Sequence, residues 1–179
     1  MTLSVIAIII GLLATCGGIF TFVKPELAKR TLELFPRSKV PGWILMLACC
    51  IMGAYQANYM NMGFLDSYKK FIPYIAVGVF AASLFYMKEL LSPRALGGFL
   101  LLIAVPIVQI ARFHESSWRL VIIVLAYIWV VYGIFTLMSP WYFRKIVDPF
   151  LKNEGWLRGA GILKAAVGIL ILLLGLFVY

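Results

Sequence analysis

Apolar residues run almost unbroken from Leu3 to Val23 and stop at Lys24-Pro25. That is long enough for a helix to cross a bilayer core of roughly 30 Å, which takes about 20 residues. Five more runs of the same character follow: Gly42 to about Tyr59, Phe71 to Met87, Ala95 to Ala111, Leu120 to Met138 and about Gly159 to Tyr179. Two stretches between them read differently. From Pro25 to Phe35, Leu27, Leu34 and Phe35 recur at helical spacing opposite Glu26, Lys29, Arg30 and Glu33. From Pro140 to Leu151, Phe143, Ile146, Val147, Phe150 and Leu151 oppose Arg144, Lys145, Asp148 and Lys152. Each pattern predicts a short amphipathic helix lying in the membrane interface, opened by a proline that suits a first helical turn. The first is broken by Pro36 to Pro41, and the second is expected to bend before Pro149.

The first and last thirds of the chain share a design. Gly18-Ile19-Phe20-Thr21 recurs as Gly133-Ile134-Phe135-Thr136, and at the same offset Pro25 matches Pro140, Lys29-Arg30 matches Arg144-Lys145, and Phe35 matches Phe150. Ser83-Leu84-Phe85 is a fainter echo in the middle. The connection from Lys88 to Arg94 is so short that it makes the third and fourth spans antiparallel neighbours. Together these features predict an all-α integral membrane protein of one membrane domain, 1–179. Its six or so transmembrane helices form three helical hairpins, as pseudo-repeats of approximately 1–62, 71–112 and 120–179.

Composition agrees: 64% of the residues are hydrophobic and 13% charged, against about half and a quarter in soluble domains. The net charge of +9 sits beside the apolar runs, a pattern that points to membrane lipids as partners and gives no basic face for nucleic acid. Lys24, Lys29, Arg30, Arg37, Lys39, Lys88, Arg94, Arg144, Lys145, Lys152, Arg158 and Lys164 fall on one side of the predicted membrane. Only Lys69, Lys70, Arg112 and Arg119 fall on the other. Basic short loops stay cytoplasmic, so both termini are expected on the non-cytoplasmic face of a bacterial inner membrane. Leu13-Ala14-Thr15-Cys16 loosely resembles a lipoprotein cleavage box, but no Lys or Arg precedes it, and the segment is read as a retained helix.

Chemistry-bearing residues are sparse. Cys16, Cys49 and Cys50 lie in apolar runs without metal or redox spacing, and one histidine, His114, cannot build a multi-histidine metal site. No catalytic group, metal or cofactor is expected. Gln56, Asn58 and Gln109 are candidates for a polar pathway or for interhelical hydrogen bonds. Lys29, Arg30, Arg144, Lys145 and Lys164 are candidates for lipid headgroup contacts, with the Lys164 stem expected to lift its ammonium to the interface. Gly161, Gly168 and Gly175, spaced by sevens, form a candidate packing stripe for another helix or another protein. Glycine faces and the lack of mid-membrane charge lead to a non-enzymatic subunit that packs with other membrane proteins or with itself. A small transporter or channel for a neutral or lipidic substrate is the alternative.

Overall fold

The computed structural model describes residues 3–61, 63–86 and 91–179. The expected turn residues Lys88 to Leu90, the Met87 end of the third run and the extreme N-terminus lie outside them. The described residues form helices and no strand: α1 (Leu3–Val23), α2 (Pro25–Leu34), α3 (Lys39–Tyr59), α4 (Ile72–Tyr86), α5 (Leu91–Arg112), α6 (Arg119–Met138), α7 (Trp141–Lys152) and α8 (Glu154–Phe177). Short 3-10 segments cover Phe35–Arg37 and Gly63–Phe71. Six helical stretches are long and apolar enough to cross a membrane: α1, α3, Asp66–Tyr86, α5, α6 and α8. The chain is a multi-pass membrane protein.

Local sequence explains most boundaries. Pro25 opens α2 in its first turn, where the missing N–H removes no helical bond. Asn153 caps α8, its Oδ1 accepting from the Gly155 N–H at 2.9 Å. Gly63 starts its segment at φ 60°, a left-handed conformation that glycine adopts without strain. Three starts come earlier than the apolar runs suggest, at Lys39, Leu91 and Glu154. In α3 a proline, Pro41, falls in the first turn, where backbone donors have no helical partner to lose. Pro149 sits inside α7 and does not end it.

Pairing of the spans departs from the expected hairpins. First with second, third with fourth and fifth with sixth is the order the sequence predicts. The observed pairs run one step out of phase: α1 lies along α8, α3 packs on α4, and α5 packs on α6, with α3 also against α5. The links explain the shift. α2 and α7 intervene between the spans they join and contact each other, and just past α2 the Phe35 ring meets Phe143 of α7, centroids 5.5 Å apart. Residues 113–118 are too few to separate α5 from α6.

The α1–α8 contact is antiparallel and brings the two backbones close wherever glycine removes a side chain. A methyl placed on Gly11 would lie 2.7 Å from the Leu172 backbone nitrogen, one on Gly168 2.5 Å from that of Thr15, and one on Gly18 2.7 Å from the Gly161 carbonyl oxygen. Ser4 Oγ donates to the Gly175 carbonyl at 2.8 Å. Ser4, Gly11 and Gly18 on α1 and Gly161, Gly168 and Gly175 on α8 each repeat by sevens along the same seam, Ser4 meeting Gly175, Gly18 meeting Gly161, Gly11 meeting Leu172 and Gly168 meeting Thr15. Where small residues recur in this way, backbones approach closely and dispersion replaces the hydrophobic drive that lipid does not supply. A second crossing of this kind joins α6 to α5, with Gly133 and Gly97 each facing the other's carbonyl oxygen, 2.8 and 2.7 Å from an added methyl.

At one end of the bundle α1, α5, α6 and α8 converge on Leu3, Ala7, Ala104, Ile107, Ala111, Ile122, Ala126 and Ile171, all buried. Loop contacts seal this end: the Tyr179 hydroxyl donates to the Trp118 carbonyl at 2.6 Å, and Arg119 donates to the His114 carbonyl. Burial pushes the Tyr179 phenol above its usual range. Gly168→Ile is expected to force α1 off α8 and to destabilise the protein by about 1–3 kcal/mol. Gly159→Ala, whose added methyl meets open space, is expected to leave the unfolding midpoint in detergent unchanged; equal midpoints for both variants would contradict the packing.

Candidate functional site: a lateral cleft at the open end of the bundle

The polar residues singled out in the spans do not converge. Gln56 Nε2 donates to the Leu102 carbonyl at 2.7 Å, and Leu102 lies four residues before Pro106. In a regular helix residue 106 would donate to that carbonyl, but proline has no N–H. Gln56 of α3 thus satisfies the acceptor that Pro106 of α5 leaves open, as backbone within a bilayer requires. Asn58 is exposed and bonds within its own helix, to the Ala54 carbonyl at 3.0 Å. Gln109 is exposed near the end of α5.

Lys29 is half-buried and Arg30 exposed on α2; Arg144 and Lys145 are exposed on α7, with the Lys145 ammonium 5.1 Å from the centre of the Trp141 ring. Gly161, Gly168 and Gly175 are buried. The face they form is covered by α1 of the same chain. His114 is tied into its loop, Nδ1 accepting from the Ser116 N–H at 3.2 Å and its ring set edge-on to Tyr179. Among the described residues no three of the His, Cys, Asp or Glu side chains gather where a metal ion would be held.

A substantial opening lies elsewhere. Away from the closed end α6 and α8 diverge, leaving a cleft of about 950 Å³. α1 contributes Ile10 and Ala14, α6 Leu125 and Trp129, and α8 Ala160, Leu163, Val167 and Ile171. Phe150, Asn153 and Trp156, at the α7–α8 junction, form its mouth. The volume lies in the range of known ligand sites, about 300–1,000 Å³, and the walls are overwhelmingly apolar.

Lys164 is the one charged residue on these walls. Because α8 begins at Glu154, Lys164 is its eleventh residue, deeper than a start near Gly159 implies. Its ammonium does not reach back to the helix end. Nζ lies 2.9 Å from where a Cβ on Gly17 would be, seven residues and roughly 10 Å along the axis from Lys24 at the end of α1. Gly17 has no side chain, so α1 presents a notch beside which the exposed ammonium lies at that level. A lysine at mid-helix costs about 3 kcal/mol on insertion scales, which makes an intramembrane cation a functional candidate.

Sequence reading missed the cleft because its lining comes from three separated stretches, residues 10–14, 125–129 and 150–171, and has no period of its own. The Gln56–Pro106 link carried a findable signal: a proline inside a span marks the carbonyl four residues earlier as needing a donor. Gln56→Leu is expected to destabilise the protein by about 1 kcal/mol. Pro106→Ala restores an N–H for Leu102 and is expected to suppress most of that loss in the double variant, measured as unfolding midpoints; additive effects would show that Gln56 acts through some other contact. Comparison with known protein families, with curated proteins and with solved structures finds no match for this chain.

Proposed function

We propose that the protein is a non-enzymatic membrane protein that binds a lipidic amphiphile in the cleft between α6 and the α1–α8 pair, in the manner of a small carrier or lipid-handling protein. The cleft carries this reading: an apolar, tail-sized slot, open toward the end of the bundle where the basic links gather, with an exposed cation, Lys164, on its wall. A lipid entering sideways from the bilayer keeps its chains in apolar surroundings throughout, so entry exposes no hydrocarbon to water.

In this reading α2 and α7 lie in the membrane interface, basic faces toward anionic headgroups, through Lys29, Arg30, Arg144 and Lys145. The charge bias puts them on the cytoplasmic leaflet of an inner membrane, with both termini on the other side. The pseudo-repeat belongs here too. It is supported by the matching Gly18 and Gly133, each at a glycine–glycine helix crossing, and by Thr21 and Thr136, which donate to the carbonyls of Gly17 and Tyr132 at 2.8 and 2.6 Å.

A second reading, a subunit held by other membrane proteins, loses the glycine stripe as its docking face because α1 covers it. It keeps one observation in its favour. Val124, Tyr127, Ile128, Val131 and Phe135 on α6, with Tyr142 and Ile146 on α7, line a separate apolar groove of about 570 Å³.

The test is native mass spectrometry of protein extracted gently from its membrane. The wild type is expected to carry one or a few lipid molecules through detergent exchange. Gly159→Phe, which projects a ring into the cleft from a position with open space at its Cβ, is expected to lose them while its unfolding midpoint holds. Undiminished lipid retention by that variant would sink the lipid reading, and comigration with a fixed protein partner without bound lipid would favour the second.

A further inference from the structure

We propose that Lys164 selects the cleft's occupant by charge: the ligand is a membrane lipid with a compact anionic headgroup, held with that headgroup drawn inward from the membrane surface to the level of Gly17. The inference rests on the lipid-binding reading above and adds the headgroup class and the residue that recognises it.

The first argument is the unmatched charge. Lys164 makes no ion pair or hydrogen bond with another described residue; the two ion pairs there are Lys69–Asp66 and Arg158–Glu154. No Asp or Glu lines the cleft, and the nearest acid along α8, Glu154, faces Arg158 at 4.0 Å. Lys164 is exposed on the cleft wall, so its ammonium is open to water or to an anion that enters the cleft, and among apolar surroundings a counter-charge stabilises it. The fold supplies no internal counter-charge, and one arriving with a ligand completes the site.

The second argument is position. The Gly17 notch seats the ammonium beside α1 instead of letting it extend toward Lys24. An anionic group meeting it there sits roughly 10 Å inside the end of α1, while its chains continue toward Ile10, Leu125 and Ile171, where the bundle closes. The third argument is the scarcity of other polar groups. Beside Lys164 the lining offers the Asn153 side chain, whose Oδ1 already accepts from Gly155, and the indole N–H groups of Trp129 and Trp156. A headgroup rich in hydroxyls would leave most of its hydrogen bonds unmade, whereas a phosphate monoester presents one concentrated charge.

The probe is an equimolar mixture of phosphatidic acid and phosphatidylcholine with identical acyl chains, added to delipidated protein in neutral detergent and read by native mass spectrometry. Wild type is expected to prefer phosphatidic acid about tenfold, the scale of one charge-assisted hydrogen bond. Lys164→Gln should abolish the preference while phosphatidylcholine adducts persist. Gly17→Ala, which fills the notch and displaces only the flexible end of Lys164, should reduce it with the charge retained, and Lys164→Arg should keep most of it. Absence of a preference in the wild type, or an unchanged preference in Lys164→Gln, overturns the assignment. If Gly159→Phe leaves adducts of both lipids intact, the cleft itself is not the site and the reading beneath this one fails as well. If that variant loses both lipids while Lys164→Gln keeps the preference, only the headgroup assignment falls.

Discussion

The close approach of α1 to α8 is the contact on which the rest of the architecture depends. Ser4 meets Gly175, Gly11 meets Leu172, Thr15 meets Gly168 and Gly18 meets Gly161, so the two spans are in close backbone contact from Ser4 to Gly18 and from Gly161 to Gly175. Lipid is as apolar as leucine, and no hydrophobic gain holds two spans together inside it; what remains is the density of backbone contact. Joining the first span to the last also closes the chain on itself. The intervening helices must then arrange themselves around a pair already fixed, and α2 and α7 become bridges from that pair to α3 and α6.

Backbone satisfaction is the second constraint, and α5 shows how it operates. Pro106 frees the Leu102 carbonyl in a region with little water to accept it, and Gln56 supplies the missing donor at 2.7 Å. Side-chain hydroxyls at Thr21, Ser83 and Thr136 likewise return to carbonyls four residues earlier in their own helices, so their burial leaves no polar group stranded. Glutamine in a span is thus explained by proline in the neighbouring span, and the functional weight moves from Gln56 to the charged residue that no backbone group explains.

The spans were legible because length and apolarity alone define them. α1 has the bounds that its hydrophobic run gives, and Pro25 opens α2 where its chemistry places it. Pairing was not legible, since every face of a bilayer-spanning helix is apolar and no polar stripe reports which side meets protein. Small residues were the remaining signal. The stripe on α8 was visible at Gly161, Gly168 and Gly175, but its counterpart on α1 was obscured because Ser4 stands where a glycine would have completed the period. The depth of Lys164 was misjudged for a related reason: Glu154 and Arg158 look like loop residues, yet both fit the first turns of α8.

Residue size then accounts for why the bundle is closed at one end and open at the other. Ala7, Ala104, Ala111 and Ala126 are interleaved with Leu3, Ile107, Ile122 and Ile171 at the closed end, where side chains of one carbon make room for the larger ones and let four helices converge. Trp129, Phe150 and Trp156 occupy the opposite half. The glycine contacts keep α8 on α1 from Gly161 to Gly175, so α8 cannot move toward α6 to fill the space between them. Nor can α6 move toward α8, because the crossing of Gly133 with Gly97 pins it to α5 near that same end. With both neighbours held by glycine contacts on their far sides, the gap between α6 and α8 is a consequence of the two tightest interfaces in the molecule.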